Sequence, residues 1–183
     1  MAESHNSAFF NPKPSEMDVQ QFVASFGELY EHSPWVAERT WMRGINLTHN
    51  TLEPLADALA YTLDHADESE QLALIRAHPD LAGKAAVSGE LTAASTDEQA
   101  SAGIHQCTEE EFNRFKDLNQ RYKEKFDFPF IKAVKGSNKH AILDAFETRI
   151  EHDRASEFKV AVQEINKIAK FRLVAMLETQ IKN

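Results

Sequence analysis

Phe158, Ala161, Val162, Ile165, Ile168, Ala169, Leu173 and Met176 recur with the period of an α-helix. That stripe predicts one long helix from about Ala155 to Ile181, which must bury its apolar side against other elements. The same period returns upstream. Val19, Phe22, Val23, Phe26, Leu29 and Tyr30 mark a helix opened by Ser15, with Asp18 three residues on. Ser33-Pro34 caps a short helix carrying Trp35, Val36 and Trp41, and Thr51 starts one through Leu52, Leu55, Ala56, Leu59 and Leu63. Glu68 to Ala77 continues as a helix. Thr108 with Glu111 forms a capping box for a run through Phe112, Phe115, Leu118, Tyr122 and Phe126, and Ser137 caps Ile142, Leu143, Phe146 and Ile150. No convincing strand pair, repeat or low-complexity tract interrupts the pattern; the segment Phe130 to Val134 reads as loop. The expectation is an all-α, single-domain irregular bundle of about seven to nine helices over residues 15–183, behind a mobile tail at 1–14 that ends Asn-Pro-Lys-Pro.

Composition narrows the function. A formal charge of −9 argues against nucleic acid, because phosphate binding needs a basic face. No apolar run approaches the roughly 18 residues of a membrane span. Cys107 is the single cysteine, so neither an internal disulfide nor a thiolate cluster is available. The first residues lack the basic start and apolar core of a signal peptide, and the chain does not end in a peroxisomal Ser-Lys-Leu address. A cytoplasmic protein is expected. The eight histidines show no metal-ligand spacing, and the phosphate-loop, dinucleotide and His-Glu-x-x-His motifs are missing.

Three stretches carry candidate chemistry: residues 78–103, the last helix and residues 128–131. His78 directly precedes Pro79, which pushes it out of the α region onto a helix-to-loop junction. Thr92 to Gly103 reads as a helix whose Ser95, Glu98 and Gln99 fall at offsets of zero, three and four, on one polar face. Ser95 with Glu98 also fits a capping box, and the two readings stand side by side. Arg172 lies four after Ile168 and three after Ala169, on the apolar stripe of the last helix. It either snorkels outward at the margin of the stripe or lines a pocket, paired with Glu98 or with a substrate. The third stretch, Phe128-Pro129-Phe130-Ile131, is either a core plug or a stiff loop offering main-chain groups to a ligand.

These residues match a known pattern. His78-Pro79-Asp80-Leu81-Ala82-Gly83, Leu91-Thr92, Ser95, and Glu98-Gln99 to Ala102-Gly103 resemble the 2-oxo-4-hydroxy-4-carboxy-5-ureidoimidazoline (OHCU) decarboxylase family. So do Leu118-Asn119, Tyr122, Phe126, the Phe128–Ile131 loop with Gly136, and Ile168-Ala169 with Arg172-Leu173. The similarity covers roughly residues 15–178, and Ile104 stands where leucine is expected. It implies an all-helical, cofactor-free enzyme, usually a homodimer, acting on a small molecule late in urate degradation; that no metal is needed is expected from the histidine and cysteine spacing. Such an enzyme removes CO₂ from the unstable product of hydroxyisourate hydrolysis and gives (S)-allantoin. Carried over by motif, His78 and Glu98 would be catalytic. Pro79, Ser95, Gln99, Arg172 and groups at Phe130 and Ile131 would hold the substrate. Two other classes are separated by simple observations. A helical scaffolding module would only pair Arg172 with Glu98, and a metal-dependent hydrolase would carry bound metal.

Overall fold

The computed structural model describes residues 8–82 and 93–182. The Thr92 cap, Gly83 and Leu91 of the signature, and residues 1–7 of the expected tail lie outside these. Eight α-helices are present among the described residues, with no strand. They are α1 (Val19–Phe26), α2 (Trp35–Met42), α3 (Leu52–Asp64), α4 (Glu68–Ala77), α5 (Ala93–Ser101), α6 (Glu109–Phe126), α7 (Lys139–Arg149) and α8 (Arg154–Lys182). The all-α expectation holds, and Phe130 to Val134 is loop as read.

Several caps fall on neighbours of the expected residues. α1 is capped by Asp18, whose carboxylate accepts the Gln21 N–H at 2.8 Å while Gln21 accepts the Asp18 N–H at 3.0 Å. Ser15 instead precedes α1 in a short 3-10 turn, Pro14–Glu16, and its N–H donates to Asn50. Asn138, not Ser137, caps α7 by accepting from His140 and Ala141. Ser33 spends its hydroxyl on the Glu31 carbonyl and does not cap α2. Serine, aspartate and asparagine cap about equally well, so where the chain turns decides which of them does, and such a cap contributes about 1 kcal/mol.

The chain divides into two compact units, residues 1–74 with 166–183, and residues 75–165. In the first, α1 packs on α2 and α2 on α3. Phe22, Phe26, Tyr30, Val36, Leu55, Leu59 and Leu63 are buried there, as is Phe10, whose ring meets Phe26 edge-on at 5.7 Å. Phe10 comes from the stretch expected to be a tail, and its N–H donates to the Asn50 carbonyl. In the second unit, Tyr122 on α6 meets Phe130 and Phe146 edge-on at 5.4 and 5.6 Å, while Phe130 stacks on Phe146 at 3.9 Å. Each such pair contributes about 0.5–1.5 kcal/mol beyond its burial.

The expected capping box of α6 is formed. Thr108 accepts the Glu111 N–H at 3.2 Å, and Glu111 accepts the Thr108 N–H at 2.8 Å. The Glu111 carboxylate also takes Lys139 Nζ at 2.6 Å, joining α6 to α7. Lys139 first, and then the Thr108 N–H, hold the Glu111 carboxyl below the ordinary carboxylate range. A group whose folded value is depressed adds stability above its unfolded value and loses it as pH falls through the folded one. The melting temperature of wild type should therefore exceed that of Glu111→Gln at neutral pH. The gap should close as pH drops below roughly 4. A gap that persists unchanged at pH 2.5 would contradict this.

Candidate active site

The segment from His78 to Ala82 leaves α4 at its C-terminus and is fixed by three side chains of the same unit. The His78 N–H still bonds the Ile75 carbonyl at 3.2 Å, closing the last turn before Pro79. Lys123 reaches the Asp80 carboxylate at 2.6 Å, Asn119 donates to the Leu81 carbonyl at 2.8 Å, and Gln99 accepts the Ala82 N–H at 3.1 Å. Ala82 adopts φ 52°, a left-handed conformation that costs an L-residue about 1–2 kcal/mol. The Gln99 bond holds it there. The bond from Ala82 to Gln99 thereby joins the two halves of the motif, His-Pro-Asp-Leu-Ala and Glu-Gln. His78 itself is only 9 % exposed.

α5 starts at Ala93, so Ser95 lies inside the helix and the alternative of Ser95 as N-cap is not realised. Ser95 and Gln99 are 3 % and 5 % exposed, and Glu98 is half-buried. Gly103 ends the stretch at φ 74°, the left-handed stop expected of it. Next to this helix lies a cavity of about 560 Å³ lined by Ala82, Thr96, Gln99, Ile104, Cys107 and Phe112 among others. A second, of about 510 Å³, is lined by Asp80, Ala82, Phe112, Asn119 and Lys123 with their neighbours. Both are of the size that holds small organic ligands.

In the loop after α6, Phe128, Phe130 and Ile131 are buried and the main chain is tied down by charged side chains. Arg149 Nη1 donates to the Ile131 carbonyl at 2.7 Å, and the Ala133 N–H donates to Glu164 at 2.8 Å. Sequence reasoning missed both residues. It also missed Glu157, whose carboxylate is fully buried and bonded to Arg149, His152 and the Tyr122 hydroxyl. The signal was available, because Glu157 and Glu164 share the α8 stripe with Ala161, Ile165 and Arg172.

Arg172 belongs to the first unit and is buried, so the snorkelling alternative is not realised. Its Nη1 meets Glu31 Oε2 at 3.1 Å and the carbonyls of Leu29 and Glu28 at 3.2 and 3.5 Å. Glu31, 2 % exposed, is a partner that sequence reasoning did not name. Elsewhere, burial and then Glu111 push the Cys107 thiol up, away from the thiolate needed for nucleophilic work. His65 stacks on Tyr61 at 3.7 Å, and His152, expected at the surface, is exposed but bonded to Glu157.

The family model described as OHCU decarboxylase matches residues 15–174, which span both units. The 2-oxo-4-hydroxy-4-carboxy-5-ureidoimidazoline decarboxylase of Halalkalicoccus jeotgali is 42 % identical, over 87 % of this chain and 86 % of that one. That of Haloferax volcanii is 39 % identical, over 91 % and 95 %. The crystal structure of an (S)-allantoin synthase superposes with a TM-score of 0.68 at 30 % identity, covering 87 % of this chain and 51 % of that one. The chain therefore spans about half the length of that synthase. It belongs to the OHCU decarboxylase family.

The Arg172–Glu31 pair yields a stability prediction. Arg172→Met removes the cation beside a buried carboxylate and should lower the unfolding free energy by roughly 3–5 kcal/mol, the usual cost of halving a buried pair. Arg172→Lys keeps the charge but loses the planar fork and should fall in between. Urea denaturation measures both, and a wild-type midpoint for Arg172→Met would show that the pair holds nothing.

Proposed function

We propose that this chain decarboxylates 2-oxo-4-hydroxy-4-carboxy-5-ureidoimidazoline to (S)-allantoin and CO₂ without a cofactor, in the cytoplasm. The observation that carries this reading is the family match over residues 15–174, a span that includes every residue assigned here. The bond between the ring carbon and its carboxylate breaks, CO₂ departs, and the electron pair stays behind, delocalised into the neighbouring imine or carbonyl. A proton must then reach the neighbouring, ureido-bearing carbon from one face, while the hydroxyl on the carbon that lost CO₂ gives up its own proton and becomes a carbonyl. Donors aimed at the developing negative charge supply the largest share of such catalysis. His78 and Glu98 are assigned to proton handling. An imidazole titrates near neutral pH and can deliver a proton without an extreme driving force. Pro79, Ser95, Gln99, Phe130 and Ile131 are assigned to holding the ring and ureido group so that one face meets the donor. Arg172 is assigned to substrate oxygens by its motif, in addition to its bond with Glu31.

What supports His78 and Gln99 in these roles is fixed placement. Buried side chains next to a main chain clamped from three sides do not have to be ordered when substrate arrives. No helix among the described residues is long and apolar enough to cross a membrane. The working form is proposed to be a homodimer. Among the described residues, the exposed large apolar side chains, Phe9, Met42, Leu47, Tyr61 and Ile181, belong to the first unit, where an association surface would be expected. Sedimentation at micromolar concentration should give a dimer, and a monomer of full activity would refute that.

The catalytic assignment needs a stereochemical readout, because the substrate is expected to decay unaided to racemic allantoin. Freshly generated substrate followed by circular dichroism should give a single enantiomer with wild type. His78→Asn and Glu98→Gln should remain folded and lower the enzymatic rate by roughly 10²-fold or more, the scale of a positioned acid or base. Folded variants that still produce optically active allantoin at the wild-type rate would remove both residues from the mechanism.

A further inference from the structure

We infer that the main chain of Ile131 to Ala133 is aimed at the substrate by two charged positioning residues, Arg149 and Glu164, with Glu157 fixing Arg149. The inference rests on the reading above, in which groups at Phe130 and Ile131 meet the substrate. The loop between α6 and α7 has no strand partner, and side chains supply partners to its main-chain groups. Two of them take ionic ones. Arg149 Nη1 donates to the Ile131 carbonyl at 2.7 Å, and the Ala133 N–H donates to Glu164 Oε2 at 2.8 Å. The two ties flank Lys132, so the orientation of both peptide planes is set.

Arg149 is itself immobilised. Its Nε and Nη2 meet Glu157 Oε2 at 3.0 and 2.8 Å, and its guanidinium lies 4.3 Å from the centre of the Phe130 ring. A guanidinium is a rigid plane. Once Nε and Nη2 are held by one carboxylate, Nη1 has a single direction, and that direction ends on the Ile131 carbonyl. Glu157 is held in turn by the Tyr122 hydroxyl on Oε2 and by His152 Nδ1 at 2.8 Å from Oε1. It is fully buried, and Arg149 is nearly so. Packing alone would not select this arrangement, because apolar side chains of equal volume commonly serve an interior as well or better. What the ions add is direction, and they add it at one loop. The same guanidinium bonds the carbonyl of one residue assigned to the substrate and covers the ring of the other.

The test compares kinetic constants and enantiomeric purity on freshly generated substrate. Wild type should give (S)-allantoin in high excess; racemic product at the uncatalysed rate would overturn the functional reading, and this inference with it. Arg149→Lys keeps the charge and loses the plane. It should raise KM by roughly tenfold or more and lower the enantiomeric excess, as expected for a reactant misplaced by about an ångström. A merely structural role would lower the melting temperature and the active fraction while KM and enantiomeric excess stay at wild-type values, and that result refutes the inference. Should Arg149→Lys not fold, Glu164→Met and Glu164→Gln decide, since they touch the loop and leave the Arg149–Glu157 pair in place. Methionine removes the acceptor for the Ala133 N–H and should show the same KM and stereochemical defect. Glutamine still offers an oxygen and should recover most of the loss. A Glu164→Met enzyme with wild-type KM and enantiomeric excess would overturn the proposal.

Discussion

A carboxylate without access to water must be given a complete replacement for its hydration, and Glu157 is the group on which the second unit depends for that reason. Its replacements come from three places in the sequence: Tyr122 on α6, Arg149 at the end of α7 and His152 in the turn after it. Each is constrained by the bond it makes. Burial, and then the bond to Glu157, push the Tyr122 phenol far up, so it remains a donor at any ordinary pH. Arg149 carries the constraint on to the Ile131 carbonyl and the Phe130 ring. Removing the carboxylate would leave a buried guanidinium uncompensated, and with it the loop that the guanidinium holds.

The first unit solves a similar problem with the charges reversed along α8. There the long helix contributes the cation, Arg172, and the loop before α2 contributes the anion, Glu31. The guanidinium again takes main-chain carbonyls as well as a carboxylate, those of Glu28 and Leu29. In both cases a guanidinium from a helix donates to main-chain carbonyls of an irregular segment as well as to a carboxylate. The long helix therefore does more than bury a stripe. Its ionised positions within that stripe fasten the loops, and the apolar ones fill the space around them.

That explains how far the sequence could be read. The helices were legible because a 3.6-residue apolar period admits few alternatives. Glu68–Ala77 and the Thr108–Glu111 box of α6 appear as read, and α8 begins and ends within a residue or so of its expected bounds. Caps were less legible. Ser15 and Asp18, or Ser137 and Asn138, are both chemically able to cap, and the choice depends on where the chain turns. The charges in the α8 stripe were half read. Arg172 stood out because a cation on an apolar face demands a partner, yet Glu157 and Glu164 sit on the same face and make the same demand. His152 and Arg149 precede Glu157 closely but outside its helix, while Tyr122 and the Ala133 N–H bonded to Glu164 lie far off in the chain, so no helical spacing announces these partners.

Gln99 shows the same limit at a single side chain. Its place on α5 beside Glu98 is readable from spacing, but an amide has two ends and the pattern does not say which end faces which neighbour. The structure settles this through Ala82, whose main-chain N–H can only be met by an acceptor. The oxygen of Gln99 is therefore turned to Ala82, at 3.1 Å, and the nitrogen is turned away. An amide held in this way presents donors on its other side. In the proposed binding role, a substrate atom that met the nitrogen would have to accept, which would select carbonyl oxygens of a ring or ureido group over their N–H groups. The bond that holds a left-handed alanine in place thus also fixes which hydrogen-bonding partner the glutamine can seek.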